Sequence, residues 1–389
     1  MENFILYVVA ICFAIGAIDY IFLNKFNLGV HFEEGVKNMG PLAISMIGII
    51  SLTPIIVDVL NKYLVPLASK LNLDPSIFTS SIIAVDMGGF NIAESISLNQ
   101  SMAEFSGILI ASILGCTLSF TLPLALGIVK REHMEFLTIG MLFGIVTIPI
   151  GIIIGGIMLK IPFKTVIINT IPIIILSIII CFLIVFFKDL VLKVFTFIGR
   201  GIVTLSIIGF IFVGIKSITG IEIIKGLMPL DESIKIVGGI AIFLGGAYVM
   251  LQILKNFLKG PLERLGKRFE VNNDSVAAFL GSFASAIIVF VNFDKLDNKG
   301  KIICSAFSVG GAYSLGGQLG FVSGEAKDII GIYILVKLIC GFSAVILSII
   351  YINKTEILHK GWCYEIKIKG CSYYNCIYNN RASYYIFLW

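Results

Sequence analysis

The sequence predicts an all-α integral membrane protein, a polytopic bundle of about ten or eleven membrane segments. Three observations carry that prediction. Hydrophobic residues make up 58% of the chain and charged residues only 14%, where a soluble domain carries about a quarter charged. The mean hydropathy is +1.00. Apolar runs of about twenty residues follow one another almost to the C-terminus, each long enough to cross a hydrocarbon core of about 30 Å. A soluble fold would have no interior large enough to hide them.

The runs lie near 4–23, 41–60, 76–97, 105–129, 136–159, 165–187, 200–219, 236–254, 275–293, 302–322 and 329–352. The first follows only Met1, Glu2 and Asn3, without the basic start or small-residue cleavage site of a secretory signal. It reads as a retained helix. The net charge of +5 is spread among loops, so it reports topology and not a nucleic-acid partner. Cys12, Cys116, Cys181, Cys304 and Cys340 sit inside apolar runs as small hydrophobes. No cysteine shows metal-ligand spacing, and neither a cofactor nor a metal is expected.

The first five and last five runs occupy the same relative positions, about 195 residues apart. Pro66-Leu67 before the third run answers Pro261-Leu262 before the ninth, and Asp74-Pro75-Ser76 answers Asn273-Asp274-Ser275 as helix openers. Thr121-Leu122 matches Ser314-Leu315, Leu126-Gly127-Ile128-Val129 matches Leu319-Gly320-Phe321-Val322, and Glu132 matches Glu325. This gives a first membrane repeat over 1–160, a connector helix over 161–198, a second repeat over 199–354 and an atypical tail over 355–389. Residues 361–389 hold both tryptophans and show neither helical nor strand period. If every run spans, lysine and arginine divide almost evenly between the faces. If the runs at 76–97 and 275–293 are broken and re-entrant, the excess moves to the face carrying Lys255–Arg268, as the positive-inside tendency prefers. The repeats are then inverted, with the N-terminus outside.

Ionisable groups inside apolar runs are costly and serve as default site candidates. The clearest stretch is Ala84-Val85-Asp86-Met87-Gly88-Gly89-Phe90-Asn91-Ile92-Ala93-Glu94. Asp86 supplies an anion deep in its run, and Gly88 and Gly89 can unwind the helix and free backbone groups. Phe90, on the same helical face as Asp86, offers an aromatic face to an ammonium, and Asn91 can bond a hydroxyl. The plainer reading is a kink holding a protonated or internally paired acid. Asp19 and Glu94 are secondary candidates near the ends of their runs, and Asp58 is a boundary residue. Glu33 and Glu34, beside His31, form either a solvated loop or a vestibule that gathers cations. Lys337, inside the last run, either snorkels or pairs with an acid. Small-residue pairs at Gly140/Gly144, Gly151/Gly155 and Gly316/Gly320 suit close helix packing. Ser314-Leu315-Gly316-Gly317-Gln318-Leu319-Gly320 reads as a broken helix or a packing joint, with Gln318 placed to bond a polar solute.

Phe32-Glu33-Glu34-Gly35 with Met39-Gly40, then Asp86-Met87-Gly88-Gly89-Phe90, Gly144-Ile145-Val146-Thr147-Ile148-Pro149-Ile150-Gly151 and Val271-Asn272-Asn273 closely resemble the EutH-type ethanolamine permease family. The similarity runs in order from the first segment to about residue 350, and Asp19 falls where the family carries an Asp. The resemblance implies a multi-pass protein of the bacterial inner (plasma) membrane that supplies ethanolamine catabolism. The sequence departs from the family pattern at Gly317-Gln318, where the family has Asp-His, and at Ser282-Phe283-Ala284-Ser285-Ala286, where it has an Asn-Asn pair and a Pro.

The expectation is a membrane transporter for ethanolamine, with Asp86, Gly88, Gly89, Phe90, Asn91 and Gln318 lining the site. Its partners are a small solute and the lipid bilayer. The chain carries no Walker A, H-E-x-x-H or G-x-S-x-G pattern and only 3 His, which removes the equipment of a primary pump, zinc protease or serine hydrolase; no catalytic residue is expected. The rivals are a carrier of another small polar or cationic solute and a non-transporting membrane scaffold.

Overall fold

A computed structural model describes residues 2–268 and 270–368, which form helices and turns without a strand among the described residues. The chain divides into Met1–Val345, which holds the site described below, and Ile346–Trp389. Helix α1 (Glu2–Ile21) is the first apolar run. Asp19, near its end, accepts the backbone N–H groups of Phe26, Leu28 and Gly29 at 2.8, 2.8 and 2.9 Å. The carboxylate thus closes the turn and starts α2 (Gly29–Lys37), which leads through Asn38 into α3 (Met39–Lys70).

The third run is interrupted: α4 (Ser76–Ser80) ends early, a 3-10 turn covers Val85–Met87, and α5 (Gly89–Ile96) resumes. The fourth stays helical throughout, as α6 (Gln100–Ala103), wide π-helical turns over Glu104–Gly115 and Thr117–Thr121, and α7 (Leu122–Ile128). Then follow α8 (Met134–Met158), α9 (Phe163–Phe186), α10 (Lys188–Thr219) and α11 (Leu230–Arg268). The ninth run splits into α12 (Asn273–Ser282) and α13 (Ile287–Val291), and the tenth into α14 (Asn298–Gly310) and α15 (Gly317–Glu325). The last helix, α16 (Ile330–Ile368), continues eight residues into the stretch read from sequence as aperiodic; the rest of that tail, 369–389, lies outside the described residues.

Among the described residues, 8 helical stretches are long and apolar enough to cross a membrane: Phe4–Ile21, Gly29–Lys70, Gln100–Ile128, Arg131–Met158, Phe163–Phe186, Lys188–Thr219, Leu230–Leu258 and Lys327–Thr355. The chain is a polytopic α-helical membrane protein. Backbone that leaves a helix within lipid must be satisfied by protein, and the three interrupted runs are accordingly enclosed by these helices.

The two broken runs at 76–97 and 275–293 are hairpins. Leu98 N–H donates to Asp74 Oδ2 at 3.0 Å, so the start and end of the third run meet. Asn272 N–H donates to Asp297 Oδ1 at 3.0 Å, and Asn272 Nδ2 donates to the Lys295 carbonyl at 2.9 Å, closing the ninth run likewise. Corresponding caps follow both: Asn99 Oδ1 accepts from Met102 N–H at 3.0 Å and Asp297 Oδ2 from Gly300 N–H at 3.2 Å. The hairpins enter from opposite ends of α8. Its first turn lies beside the second hairpin, where Lys130 pairs with Asp294 and His133 Nε2 approaches Asp294 at 3.3 Å. Its last turn leads into α9, whose Asn169 Oδ1 accepts the Asp74 N–H at 2.8 Å at the base of the first hairpin. A hairpin tip about twelve residues from its base reaches roughly 18 Å, about half the membrane thickness.

The small-residue pairs act as close-packing points. Gly140 and Gly144 of α8 face Ser305 and Val309 of α14, and Gly151 and Gly155 face Cys340 and Val336 of α16. Gly316 abuts Ala284 at the tip of the second hairpin, and Gly320 abuts Ile240 and Leu244 of α11. Helix α1 packs along α11 and α3 along α10. The halves differ in one respect: the tenth run opens over Gly311–Gly316, whereas the fourth, its sequence counterpart, widens without opening.

Cysteine labelling in a background free of native cysteines tests the hairpins. Residues introduced at Lys70 and Asn99 should label from one face, and those at Lys267 and Lys299 from the other. Labelling of Lys70 and Asn99 positions from opposite faces would restore a full span at 76–97.

Candidate functional site

Asp86 sits at the tip of the first hairpin because the chain cannot stay helical there. Ala84 is extended (φ −66°, ψ 151°), and Gly88 takes φ +88°, a conformation that costs a side-chain-bearing residue about 1–2 kcal/mol. Met87 and Gly89 N–H both turn back to the Ala84 carbonyl, at 3.0 and 3.1 Å. The approach from the neighbouring segment is equally tight: a Cβ at Gly115 would stand 2.5 Å from the Ser80 carbonyl oxygen. Asp86 lies deep in the protein yet keeps part of its surface free. Among the described residues no lysine, arginine or histidine stands at ion-pair distance from it.

Across from the tip, the open stretch of the tenth run places Tyr313 in a left-handed backbone conformation (φ 62°), a strain of about 1–3 kcal/mol. Two bonds hold it. Tyr313 N–H donates to the Ser282 carbonyl at 3.1 Å, on the second hairpin, and the Tyr333 hydroxyl donates to the Tyr313 carbonyl at 3.0 Å. Leu315 N–H adds a bond to the Phe283 carbonyl at 2.9 Å. The second hairpin thereby props the break in the tenth run.

Between these parts lies Lys337, only 1% exposed. Its ammonium donates to the Ser112 carbonyl at 2.9 Å and to Gln318 Oε1 at 2.8 Å, with the Tyr333 and Tyr313 rings at 5.6 and 6.0 Å. Asp86 is near enough to feel its charge but makes no ion pair with it. An isolated ammonium costs several kcal/mol to desolvate; carbonyl, carboxamide and two rings compensate that cost here. The Gln318 nitrogen donates to no nitrogen or oxygen and lies beside the Cys116 thiol. Asn91 Oδ1, Ser80 Oγ and Ser314 Oγ are likewise buried without a hydrogen-bond partner. A polar occupant would relieve about 1–3 kcal/mol for each such group it reaches.

The structure places Asp86, Gly88 and Gly89 at the tip of the first hairpin and Asn91 just beyond it on α5, and α15, which carries Gln318, packs against the turn that holds Asp86. Phe90 is buried edge-on against Phe321, ring centroids 6.1 Å apart. The helical spacing that put Phe90 on the Asp86 face does not apply, since the chain leaves the helix at Gly88. Asp19 is 3% exposed and committed to its loop. Glu33 pairs with Lys37 at 2.7 Å and Glu34 with His31 at 3.6 Å on α2, and Asp58 is exposed on α3. Glu94 lies with Glu104, Glu325 and Asp328 in one field of acids near the base of the first hairpin. Sequence reasoning left Lys337 open and missed Tyr313, Tyr333 and Ser112. A signal existed for Tyr333, four residues before Lys337 on the same helix face; none marked the Ser112 carbonyl.

Two other features lie outside this centre. Glu132, His133 and Asp294 bring ligand atoms within 4.8 Å of one another. Lys130, however, pairs with Asp294 and holds its carboxyl below the usual range, and Lys301 Nζ stands 3.4 Å from His133 Nδ1. Two ammonium groups already fill the place of a cation. Open grooves beside Phe78, Ile82, Ile171 and Ile175, and beside Met39, Phe210 and Ile218, are apolar and suit acyl chains.

The profile of the family described as "Ethanolamine utilisation protein, EutH" matches residues 1–351. A protein of Listeria monocytogenes named probable ethanolamine permease EutH is 38% identical over 91% of this chain and 95% of its own length. The similarly named protein of Salmonella typhimurium is 30% identical over 92% and 97%. A Bacillus subtilis protein, uncharacterized YxeR, is 34% identical over 88% and 93%. No solved structure matches.

The Lys337–Gln318 contact can be measured through stability. Gln318→Met should destabilise the purified protein by about 1.5–3 kcal/mol, leaving a buried ammonium short of an acceptor. Adding Lys337→Met should recover much of that loss, because removing both partners spares the uncompensated charge. Thermal unfolding in detergent that shows simply additive losses would mean the contact carries little.

Proposed function

We propose that this chain, which belongs to the EutH ethanolamine utilisation family, is a permease for a small primary ammonium bearing a nearby hydroxyl, ethanolamine first among them. One observation carries the reading: Asp86, a carboxylate without an ion-pair partner among the described residues, stands partly open at the tip of a hairpin about half-way across the membrane. In that low-dielectric setting a carboxylate attracts an ammonium far more strongly than in water. The buried, unpartnered oxygen of Asn91 and the spare amide of Gln318 are suited to the hydroxyl. Phe90, packed on Phe321, fixes the position of α5. The names of the Listeria and Salmonella relatives support the same solute.

The excess of lysine and arginine near the base of the second hairpin favours a cytoplasmic location for that face, in a bacterial inner membrane. The acids Glu94, Glu104, Glu325 and Asp328 then stand at the outer mouth, where their field concentrates cations. The repeats at 1–160 and 199–354, joined through 161–198, form inverted halves that rock about the midplane. The exchanged pairing of α1 with α11 and of α10 with α3 supports this. A second reading, a carrier of a neutral polar solute, draws on the unsatisfied Gln318 amide. A non-transporting scaffold would gain nothing from an isolated buried carboxylate.

Labelled ethanolamine uptake into proteoliposomes tests the proposal. Asp86→Asn should reduce uptake at low substrate by about tenfold to a hundredfold, the worth of a charge-assisted hydrogen bond, while insertion stays normal. Asn91→Ala should cost about tenfold or less. Parental uptake by Asp86→Asn would make Asp86 a structural kink residue, and a parent that carries no ethanolamine would remove the proposed solute.

A further inference from the structure

Lys337 is held as a solute ammonium would be held. Its Nζ has two oxygen acceptors, the Ser112 carbonyl at 2.9 Å and Gln318 Oε1 at 2.8 Å, and two aromatic faces, Tyr333 and Tyr313. An ammonium has three donors, and among the described residues nothing takes the third. The contacts join α16 to the π-helical stretch of the fourth run and to α15 of the tenth, so one cation ties parts of both halves together. Asp86 balances its charge from a distance without touching it.

This arrangement is neutral when empty and overcharged when loaded. A second ammonium at Asp86 would stand beside Lys337 with one carboxylate between the two. Like charges about 6 Å apart at an effective dielectric of about 20 weaken binding by roughly a hundredfold. A lysine differs from an arginine in being able to escape that penalty by losing its proton. The other titratable groups facing Lys337 are Cys116 of the fourth run, Tyr313 of the tenth, and Tyr333 and Cys340 of its own helix. Asp86 is the acid among those named.

We propose that Lys337 is a tethered, exchangeable ammonium whose proton leaves when the solute ammonium reaches Asp86 and returns when the solute departs. The inference rests on the permease reading and adds its charge balance. Facing outward, the empty site holds Lys-NH3+ and Asp-COO−. A solute R-NH3+ binds the carboxylate, and Lys337 gives one proton to the water on that side, becoming Lys-NH2. The loaded site is again neutral and can cross to the inward-facing state. Inside, R-NH3+ leaves and Lys337 takes one proton from the cytoplasm. One ammonium has entered and one proton has left, with no net charge moved and no other ion required. Gln318, through its hold on Lys337 Nζ, sets the position of the exchangeable proton.

Proteoliposomes with a potassium-diffusion potential, labelled ethanolamine outside and a pH dye inside, test this against protein-free liposomes. The parent should take up ethanolamine at the same extent with and without an inside-negative potential, and should make the lumen alkaline by one proton per amine above the protein-free leak. Lys337→Met removes the exchangeable proton, so its uptake should become potential-driven, by up to about fiftyfold accumulation per 100 mV, without coupled proton loss. Lys337→Arg keeps the charge but cannot release it, and should insert yet carry ethanolamine at least tenfold more slowly. Potential-driven accumulation by the parent would overturn the proposal, as would undiminished proton exchange in Lys337→Met or parental rates in Lys337→Arg. If Lys337→Met does not insert, the parent and the Arg variant decide. A parent that carries no ethanolamine at all defeats the permease reading itself, a result separate from potential-driven uptake.

Discussion

A peptide group that leaves a helix inside a bilayer has no water to turn to, and this constraint organises the whole bundle. Each interruption is matched by a specific partner. At the first hairpin, Asp74 binds the Leu98 N–H and Ala84 receives the turn at Gly88. At the second, Asp297 binds Asn272, and the exposed backbone of Ser282 and Phe283 is taken by Tyr313 and Leu315 of the opened tenth run. The long apolar helices around them supply the surface that meets lipid. Their glycines allow the close approach on which those short hydrogen bonds depend.

With that backbone arranged, a charge can be placed where lipid would otherwise forbid it. Asp86 and Lys337 are both costly in a membrane, and neither relieves the other by contact. Lys337 is compensated by acceptors and rings from several elements, whereas Asp86 keeps an open side. A closed ion pair would be the inert solution. The separation leaves Asp86 without a neutralising contact, and the proposed function uses that open side for the ammonium.

Much of the fold was legible in the sequence because the signals were local. Run length and apolarity gave the spanning helices, while Gly88-Gly89 and the Ser314–Gly320 string marked breaks. The re-entrant geometry at 76–97 and 275–293 followed from charge placement between faces. The site was legible only in part. Asp86 stood out as an acid in an apolar run, but Lys337 was ambiguous because snorkelling and pairing look alike in one dimension. Phe90 was read onto the Asp86 face for a related reason: i, i+4 spacing holds only where the helix persists, and the left-handed Gly88 ends it. The Ser112 carbonyl carries no residue signature at all. Asp19 looked like a site candidate from composition, yet three backbone N–H groups claim it.

The central claim is that a primary ammonium docks on the open side of Asp86 while Lys337 remains in its own seat. An experimental structure of the protein saturated with ethanolamine, or with a heavier amine of the same head group, tests this most directly. The account predicts density with its nitrogen within hydrogen-bond distance of the Asp86 carboxylate, its hydroxyl towards Asn91 or Gln318, and Lys337 still on Ser112 and Gln318. A direct Asp86–Lys337 ion pair with the amine bound elsewhere in the bundle would contradict it.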